Sequence, residues 1–329
     1  MTDPTALLEK IRTSVIGDDR LMDGPFGARR ITYADYTASG RALEFIEDFL
    51  RQQVLPYYAN THTETSLTGL QTTHFREQAR ALIRKSIGAD DSYAIIFCGS
   101  GATGAVNRLI DIFNIRLPAN LDARYQLSKL IPTAERPVVF IGPYEHHSNE
   151  LPWRETIADV ITIDEDDSGR IDIGHLQQQL KLYQDRELLI GSFSAASNVT
   201  GIISDVAAIS SLLRDHGALS FWDYAAAAPY IHIDVIGKGE LPALDALFIS
   251  PHKFVGGPGS PGLLVINKRL MANSVPARPG GGTVAYVNPV EHVYIEDAEH
   301  REEGGTPAIV ESIRAGLVFQ LKDDVGTEV

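Results

Sequence analysis

The sequence contains one cysteine, Cys98, among its 329 residues. A single cysteine excludes an intrachain disulfide framework and a thiolate metal cluster. Long apolar runs are also missing. No stretch approaches the roughly 20 residues that cross a bilayer, and the amino-terminal MTDPTALLEK lacks the apolar core of a signal peptide. We therefore predict a cytoplasmic protein without a membrane span.

Positive charge is scarce as well. The chain has 29 Lys and Arg against 43 Asp and Glu, a formal net charge of -14. Nucleic acids and anionic membranes both favour clustered Lys and Arg, so the charge balance argues against either partner. A small molecule is the expected ligand, and a hydrophobic content of 44% indicates a folded chain with a substantial core.

Seven short apolar runs predict buried strands. They lie at residues 94–97, 138–141, 160–163, 188–190, 219–222, 246–249 and 263–266. Segments with a helical period separate several of them, as at 103–113 and 173–183. This alternation predicts an α/β fold with a mainly parallel, doubly wound sheet and helices on both faces. Only the last two runs are joined by a turn too short for a crossover helix, so the last strand should be antiparallel.

The regions that flank this core are expected to be partly helical. Residues 42–54 and 75–87 have amphipathic patterns and enclose a polar loop at 57–73, and residues 309–321 predict a final helix. We divide the chain into an amino-terminal segment, 1–30, and one large domain, 31–329.

Lys253 stands where a predicted strand meets a glycine-rich turn. It follows the run 246–249 and Ser250-Pro251-His252, and it precedes the glycines of residues 256–262. Partial burial at a strand end lowers the pKa of a lysine amine and favours nucleophilic attack. Such an amine predicts a Schiff base with a carbonyl compound, most often pyridoxal phosphate. The alternative is an exposed lysine that ends a strand.

The segment Gly99-Ser100-Gly101-Ala102-Thr103-Gly104 follows a predicted strand and begins a predicted helix. Backbone N–H groups and the helix dipole favour a phosphate at such a position. The segment also matches the dinucleotide pattern G-x-G-x-x-G, but the expected strand with an acidic residue about 20 positions on is missing. A tight turn with a helix cap is the other alternative.

Polar side chains follow three further predicted strands. Asp223 precedes the small residues 225–228, and its carboxylate can hold a pyridine nitrogen protonated. His146 can stack on a planar ring or move protons, and Asn198 can donate to a phenolic oxygen. Asp223 and Asn198 are equally suited to turns, so taken singly they leave both interpretations open.

A metal site is the competing hypothesis for the histidines. His146 and His147 are adjacent and do not share a face, and Glu145 and His252 are the only further candidate ligands at strand ends. Because a metal needs more ligands on one side than this arrangement supplies, we assign no metal.

With these residues in order, the chain resembles the class V aminotransferase superfamily of pyridoxal phosphate enzymes, and within it the cysteine desulfurase and selenocysteine lyase group. The resemblance extends from about Tyr33 to Leu321. The matching motifs are Ser250-Pro251-His252-Lys253, Glu145-His146-His147-Ser148-Asn149, Ser100-Gly101-Ala102-Thr103, Asp223, Gly280-Gly281-Gly282-Thr283 and Arg301-Glu302-Glu303-Gly304-Gly305-Thr306-Pro307.

The resemblance implies a fold of type I and a set of roles around the cofactor, pyridoxal 5'-phosphate. Lys253 would form the Schiff base, His146 would stack on the ring, and Asp223 would pair with the pyridine nitrogen. The phosphate would be held by Ala102, Thr103, Ser250 and His252.

The resemblance also implies a homodimer and a substrate side of the site. Thr306 matches a threonine that reaches the phosphate of the neighbouring subunit. Asn198 would contact the ring hydroxyl or the substrate, and His62 loosely matches a histidine that approaches the substrate.

The chain departs from the family in three respects. Ala226 stands where many relatives have a glutamine near the ring. Relatives continue past Leu321 into a small domain with a substrate-binding arginine and, in desulfurases, a reactive cysteine, and we expect this domain to be absent here. Cys98 lies at the end of a buried strand, directly before residues 99–104, which we call the anion turn, so we do not assign it the sulfur-accepting role.

The leading hypothesis is therefore an enzyme that acts on a small amino acid through Lys253, with cysteine desulfurase or selenocysteine lyase as the activity. An aminotransferase or a carbon–sulfur lyase of the same superfamily is the first alternative. A cofactor-binding scaffold without turnover and a nicotinamide dehydrogenase are more distant ones.

Overall fold

The computed structural model describes residues 4–61, 65–237 and 242–328. Its strands in chain order are β1 (Leu21–Gly24), β2 (Gly27–Arg30), β3 (Tyr93–Cys98), β4 (Val138–Ile141), β5 (Asp159–Thr162), β6 (Leu189–Ser194), β7 (Leu219–Asp223), β8 (Ala246–Ile249), β9 (Gly262–Asn267), β10 (Val284–Val287) and β11 (His292–Tyr294). Seven of them form one sheet in the order β3-β9-β8-β7-β6-β4-β5.

The predicted sheet topology is confirmed. The strands β4, β5, β6, β7 and β8 pair in parallel, whereas β9 is antiparallel to both of its neighbours, β8 and β3. All seven predicted strands exist, but β6 was predicted too short because Gly191, Ser192 and Ser194 interrupt its apolar pattern. A Cβ at Gly191 would lie 2.5 Å from Leu213 Cδ1, so the residue that weakens the apolar pattern leaves room for a helix to pack.

The helices are α1 (Pro4–Thr13), α2 (Glu44–Phe49), α3 (Leu67–Ser86), α4 (Gly101–Phe113), α5 (Ala119–Tyr125), α6 (Leu151–Arg154), α7 (Ile173–Leu182), α8 (Val206–Asp215), α9 (Ala298–Arg301) and α10 (Ile309–Val325). They cover both faces of the sheet. Ile83, Leu176, Leu213 and Ile313 belong to a core on one face, and Leu109 and Trp153 belong to a core on the other. This is the α/β fold expected from the sequence.

Helix α3 begins earlier than predicted. The polar loop was placed at 57–73, but the helix begins at Leu67, where Ser66 caps it by accepting a hydrogen bond from the Gly69 N–H at 3.1 Å. The buried face of α3 includes Thr72, Arg76 and Arg80. Because buried arginines do not register as apolar positions, hydropathy alone underestimated this helix.

Two exposed hairpins and a π-helical turn were not anticipated. Strands β1 and β2 pair with each other, as do β10 and β11, and almost all of their residues are at least partly exposed, which removes the alternating apolar pattern of a half-buried strand. The predicted helix 42–54 is α2 followed by one π-helical turn, Leu50–Val54.

The amino-terminal segment, 1–30, contains α1, which contacts α10 of the large domain. The division into 1–30 and 31–329 remains a prediction. Within the described residues, no helix is both long enough and apolar enough to cross a membrane. The cytoplasmic location expected from the sequence stays a prediction.

Candidate active site

A cavity of about 960 Å³ opens where the parallel strands end. Loops that follow β3, β4, β6, β7 and β8 contribute to its wall, as expected for a doubly wound sheet. Eight predicted site residues line it together: Ala102, Thr103, His146, Asn198, Asp223, Ser250, His252 and Lys253. The sheet therefore collects into one place residues that are spread over 150 positions of the sequence.

Lys253 lies on a short 3-10 turn, Pro251–Lys253, directly after β8. Its backbone N–H donates to the Ser250 carbonyl at 3.0 Å, and its side chain is half-buried. Burial lowers the pKa of the Lys253 amine, while the carboxylates of Asp223 and Asp35 act in the opposite direction. The net shift is downward, which increases the neutral, nucleophilic fraction of the amine at a given pH.

The carboxylate of Asp223 is 4% exposed and lies at the end of β7. Burial raises its pKa, against the N–H of Ala225, which donates to Oδ1 at 2.8 Å, and the charges of Lys253 and His146. Cationic groups in the cavity therefore favour the charged form of this carboxylate. A protonated ring nitrogen would supply a further positive partner.

The turn at the beginning of α4 leaves little room for a side chain at position 101. Gly101 has φ +55°, and a Cβ there would lie 2.9 Å from Ser250 Oγ and 3.6 Å from His252 Nε2. The Ala102 N–H donates to Ser250 Oγ at 2.8 Å. A side chain at position 101 would thus occupy the space between the helix terminus and two residues predicted to hold phosphate.

Thr103 and His146 are connected through Ser148. The hydroxyls of Thr103 and Ser148 are 2.6 Å apart, and the Ser148 N–H donates to His146 Nδ1 at 3.1 Å. The His146 ring is exposed to the cavity side and not packed into the core. It is therefore available to a planar ligand.

Glu145 has a structural role that the sequence did not reveal. Its Oε1 accepts hydrogen bonds from the N–H groups of Ser194 (2.9 Å) and Gly142 (3.2 Å), and its Oε2 accepts from Ser194 Oγ (2.6 Å) and Asn149 Nδ2 (2.9 Å). Burial raises the pKa of Glu145 to about 7, although these donors favour the charged form. Glu145 joins the loop of His146 to the end of β6.

Sequence reasoning also missed the stretch from Asp35 to Gly40, which covers Lys253. The Gly40 N–H donates to the His252 carbonyl at 3.0 Å, and Ser39 Oγ donates to the same oxygen at 3.2 Å. A Cβ at Gly40 would lie 1.9 Å from the Phe254 carbonyl oxygen. This contact brings Asp35 into the cavity wall. The small residues Ala38, Ser39 and Gly40 were the available signal.

The remaining predicted residues differ in position. Asn198 is an exposed turn residue that lines the cavity. Thr306 is exposed and is not among the described residues that line the cavity of its own chain. His62 lies outside the described residues.

The residues present fit pyridoxal phosphate. The cavity combines an amine, a buried carboxylate, an anion turn that only a glycine permits, and an accessible imidazole. Ser260 Oγ is buried beside the cavity and has no hydrogen-bond partner among the described residues, so a polar ligand atom would satisfy it.

Comparison with known families decides the assignment. The family model described as aminotransferase class-V matches residues 32–328. The chain belongs to the class V aminotransferase family. This family consists of pyridoxal-phosphate-dependent enzymes, and the seven-stranded sheet of the class V chain conforms to it.

Named relatives and solved structures agree with this placement. The class V chain is 27% identical over 316 residues to a probable cysteine desulfurase of Halalkalibacterium halodurans, covering 94% of this chain and 70% of that protein. It is 26% identical over 317 residues to a probable cysteine desulfurase of Pyrococcus abyssi, covering 95% and 72%.

Solved structures show the same fold. The cysteine desulfurase of Thermococcus onnurineus NA1 has a TM-score of 0.76 at 23% identity, covering 97% of this chain and 72% of that one. A NifS-like protein from Rickettsia africae ESF-5 has a TM-score of 0.69 at 20% identity, covering 90% and 70%.

Proposed function

We propose that this class V enzyme removes sulfur or selenium from cysteine or selenocysteine, using pyridoxal phosphate bound at Lys253. The observation that supports this best is the convergence of Lys253, Asp223 and the anion turn at Gly101 on one cavity. The relatives named probable cysteine desulfurase support the choice of substrate.

Different residues of the cavity would hold different parts of the cofactor. Lys253 would attach to it covalently, and Asp223 would keep its ring nitrogen protonated. The ring of His146 would cover one face, and Asn198 would donate to the ring hydroxyl or to the substrate. The phosphate would be held by Ala102, Thr103, Ser250 and His252.

Proton transfer falls to Lys253. When bound, pyridoxal phosphate supplies an electron sink that stabilises negative charge at the α-carbon of an amino acid. Lys253, whose side chain lines the cavity, would take the α-proton and return it. The burial that lowers the pKa of Lys253 increases the fraction of its amine that can accept a proton.

The proposal includes a homodimer. Thr306 would hold the phosphate in the neighbouring subunit, which agrees with its exposure and with its position outside the cavity of its own chain. Each site would then need both chains.

Covalent attachment at Lys253 is tested by reduction with borohydride, which converts a Schiff base into a stable amine. We expect the wild-type chain to gain one phosphopyridoxyl group at Lys253, located by peptide mass spectrometry, and a visible absorption band before reduction. Lys253→Ala should lose both. Lys322 is the matched control, because burial lowers its pKa to about 8, and Lys322→Ala should keep the band. A wild-type chain without a band after reconstitution would refute cofactor binding.

The reaction is tested by product analysis with cysteine and a thiol reductant. Desulfuration converts cysteine and two thiols into alanine, hydrogen sulfide and a disulfide, so alanine and sulfide should form in equal amounts without a keto acid. Formation of alanine from pyruvate would instead indicate an aminotransferase. Pyruvate, ammonia and sulfide without alanine would indicate a carbon–sulfur lyase, and cofactor binding without any product would indicate a scaffold.

A further inference from the structure

A cluster of buried ion pairs lies at the β3 edge of the sheet, away from the cavity. Arg76 and Arg80 of α3 are each less than 5% exposed, and Glu303 is 7% exposed. Glu303 Oε2 accepts from Arg76 Nη2 at 2.6 Å and from Arg80 Nη2 at 3.0 Å. Both guanidinium groups lie 5.0 Å from the centre of the Phe97 ring. Breaking such a buried pair on one side leaves an uncompensated charge.

Glu303 and a second glutamate, Glu299, accept hydrogen bonds from the free edge of β3. This strand pairs only with β9 in the sheet, so the N–H groups of its other edge need partners elsewhere. The Phe97 N–H donates to Glu303 Oε1 and the Ile95 N–H donates to Glu299 Oε1, each at 2.7 Å. The segment that contains α9 therefore takes the place of a neighbouring strand.

Glu302 ties the same segment to two other elements. Its carboxylate is fully buried and accepts from Asn273 Nδ2 at 2.7 Å and from the Ala277 N–H at 2.9 Å. Its carbonyl accepts from Arg108 of α4. The elements β3 and α4 flank the anion turn. Residues 299–303 are therefore held by the two elements on either side of this turn in their own chain.

Immediately after this anchored stretch, two glycines pack closely against residues 278–281. A Cβ at Gly304 would lie 2.1 Å from the Arg278 carbonyl oxygen, and the Gly305 N–H donates to the Gly281 carbonyl at 2.9 Å. Thr306 follows, exposed and outside its own cavity. Its position thus depends on an anchor only three residues away.

We infer that Glu303, held by Arg76 and Arg80, is a positioning residue for the active site of the neighbouring subunit, because it fixes the turn that presents Thr306. This inference rests on the proposed function, in which Thr306 binds the neighbour's cofactor phosphate. Glu303 does not touch the cofactor itself. A role limited to the sheet edge would act through the anion turn of the same chain, so it would weaken retention only in the subunit that carries the substitution.

The first test compares the dissociation of pyridoxal phosphate from Glu303→Gln, Thr306→Val and the double variant. Loss of one hydrogen bond to a charged phosphate should weaken retention about tenfold or more. If Glu303 acts through Thr306, the double variant should lose no more than Thr306→Val alone. Additive losses, or unchanged retention in Glu303→Gln, would overturn the inference.

Two further variants separate folding from positioning. Asp159→Asn is the matched control. Asp159 lies on β5, at the opposite edge of the same sheet, and accepts from Arg186 at 2.7 Å. The Asp159→Asn variant should retain the cofactor as the wild type does. Arg76→Lys keeps the positive charge but removes the planar guanidinium group and its set of N–H donors. It should show a smaller loss in the same direction, and it replaces Glu303→Gln if that variant does not fold.

Heterodimers made by co-expression with two tags show which chain is affected. In the first heterodimer, one chain carries Glu303→Gln and the other carries Lys253→Ala. Only the Glu303→Gln chain then has Lys253 in its site, and that site receives Thr306 from the chain with an intact Glu303. Its cofactor retention should return to the wild-type level. When a Lys253→Ala and Glu303→Gln double variant is paired with the wild-type chain, retention should be weak. The reverse pattern would place the effect within one chain and overturn the inference. A wild-type chain that retains no cofactor would instead refute the proposed function.

Discussion

Gly101 shows how one residue shapes the candidate site. Its φ of +55° is rare for other residues, and the space where a Cβ would lie is taken by Ser250 Oγ at 2.9 Å. Two independent constraints, backbone conformation and close contact, thus exclude a side chain at the point where the helix terminus faces the phosphate residues.

We expect Gly101→Ala to lose the hydrogen bond from the Ala102 N–H to Ser250 Oγ and to weaken cofactor retention about tenfold. The strained backbone should also cost about 1–2 kcal/mol in the free energy of unfolding. Gly217→Ala is the matched control, since Gly217 has φ +70° and no heavy atom within 4 Å of the added Cβ. Equilibrium dialysis and urea unfolding of both variants check this, and equal retention by the two would contradict it.

The structural role of Glu145 is not evident from the residues next to it in the sequence. In the sequence it precedes two histidines and suggests a metal ligand. In the structure its carboxylate is engaged by donors from Ser194, Gly142 and Asn149, and Ser194 belongs to a strand 49 positions away. The role of Glu145 depends on the pairing of strands, which a local pattern does not contain.

At the level of elements, α9 is short but strongly held. Asp297 caps it by accepting from the His300 N–H at 2.9 Å, and His300 Nδ1 lies 2.7 Å from the same carboxylate. His300 Nε2 lies 3.4 Å from Glu77 Oε1 of α3. The hydrogen bonds with Asp297 and Glu77 raise the pKa of His300 to about 10. A charged imidazole therefore links α9 to α3 beside the buried arginines.

This linkage predicts a pH-dependent stability. Because the pKa of His300 is higher in the folded chain than its ordinary value of 6.5, its contribution is complete below pH 6.5 and is lost as pH rises through about 10. The difference in unfolding free energy between wild type and His300→Gln should shrink across this interval, measured by urea unfolding. His216→Gln is the control, since His216 Nδ1 contacts the Leu212 carbonyl and not a carboxylate. A difference that stays constant with pH would refute the linkage.

Elements also differ in how well the sequence predicts them. The buried strands of the central sheet are short apolar runs, and their positions were predicted closely. Helix α3 was not, because the buried face that includes Arg76 and Arg80 is polar. Those arginines are buried beside carboxylates: Glu303 pairs with both, and Arg80 also pairs with Glu77 at 3.0 Å. Burial by itself raises the pKa of Glu303, and the two guanidinium groups bring it below its ordinary value.

For the whole molecule, the candidate site lies where the parallel strands of the sheet end. The chain passes through the cavity wall after β3, β4, β6, β7 and β8, so each strand end contributes one to three of the predicted site residues. The fold explains why residues of separate motifs meet. It does not by itself select the substrate, which is why product analysis is needed beside cofactor binding.

The sequence by itself determined the seven strands, the single antiparallel strand and eight residues of the cavity, because apolar runs, strand ends and glycine turns are local patterns whose order along the chain implies a parallel sheet. Tertiary structure alone decided the rest. Asp35 lines the cavity because Ser39 and Gly40, further along the same stretch, donate to the His252 carbonyl. Arg76 meets Glu303 across 227 positions. Such contacts depend on which surfaces pack together, since polar groups can be buried only where a distant partner compensates their charge.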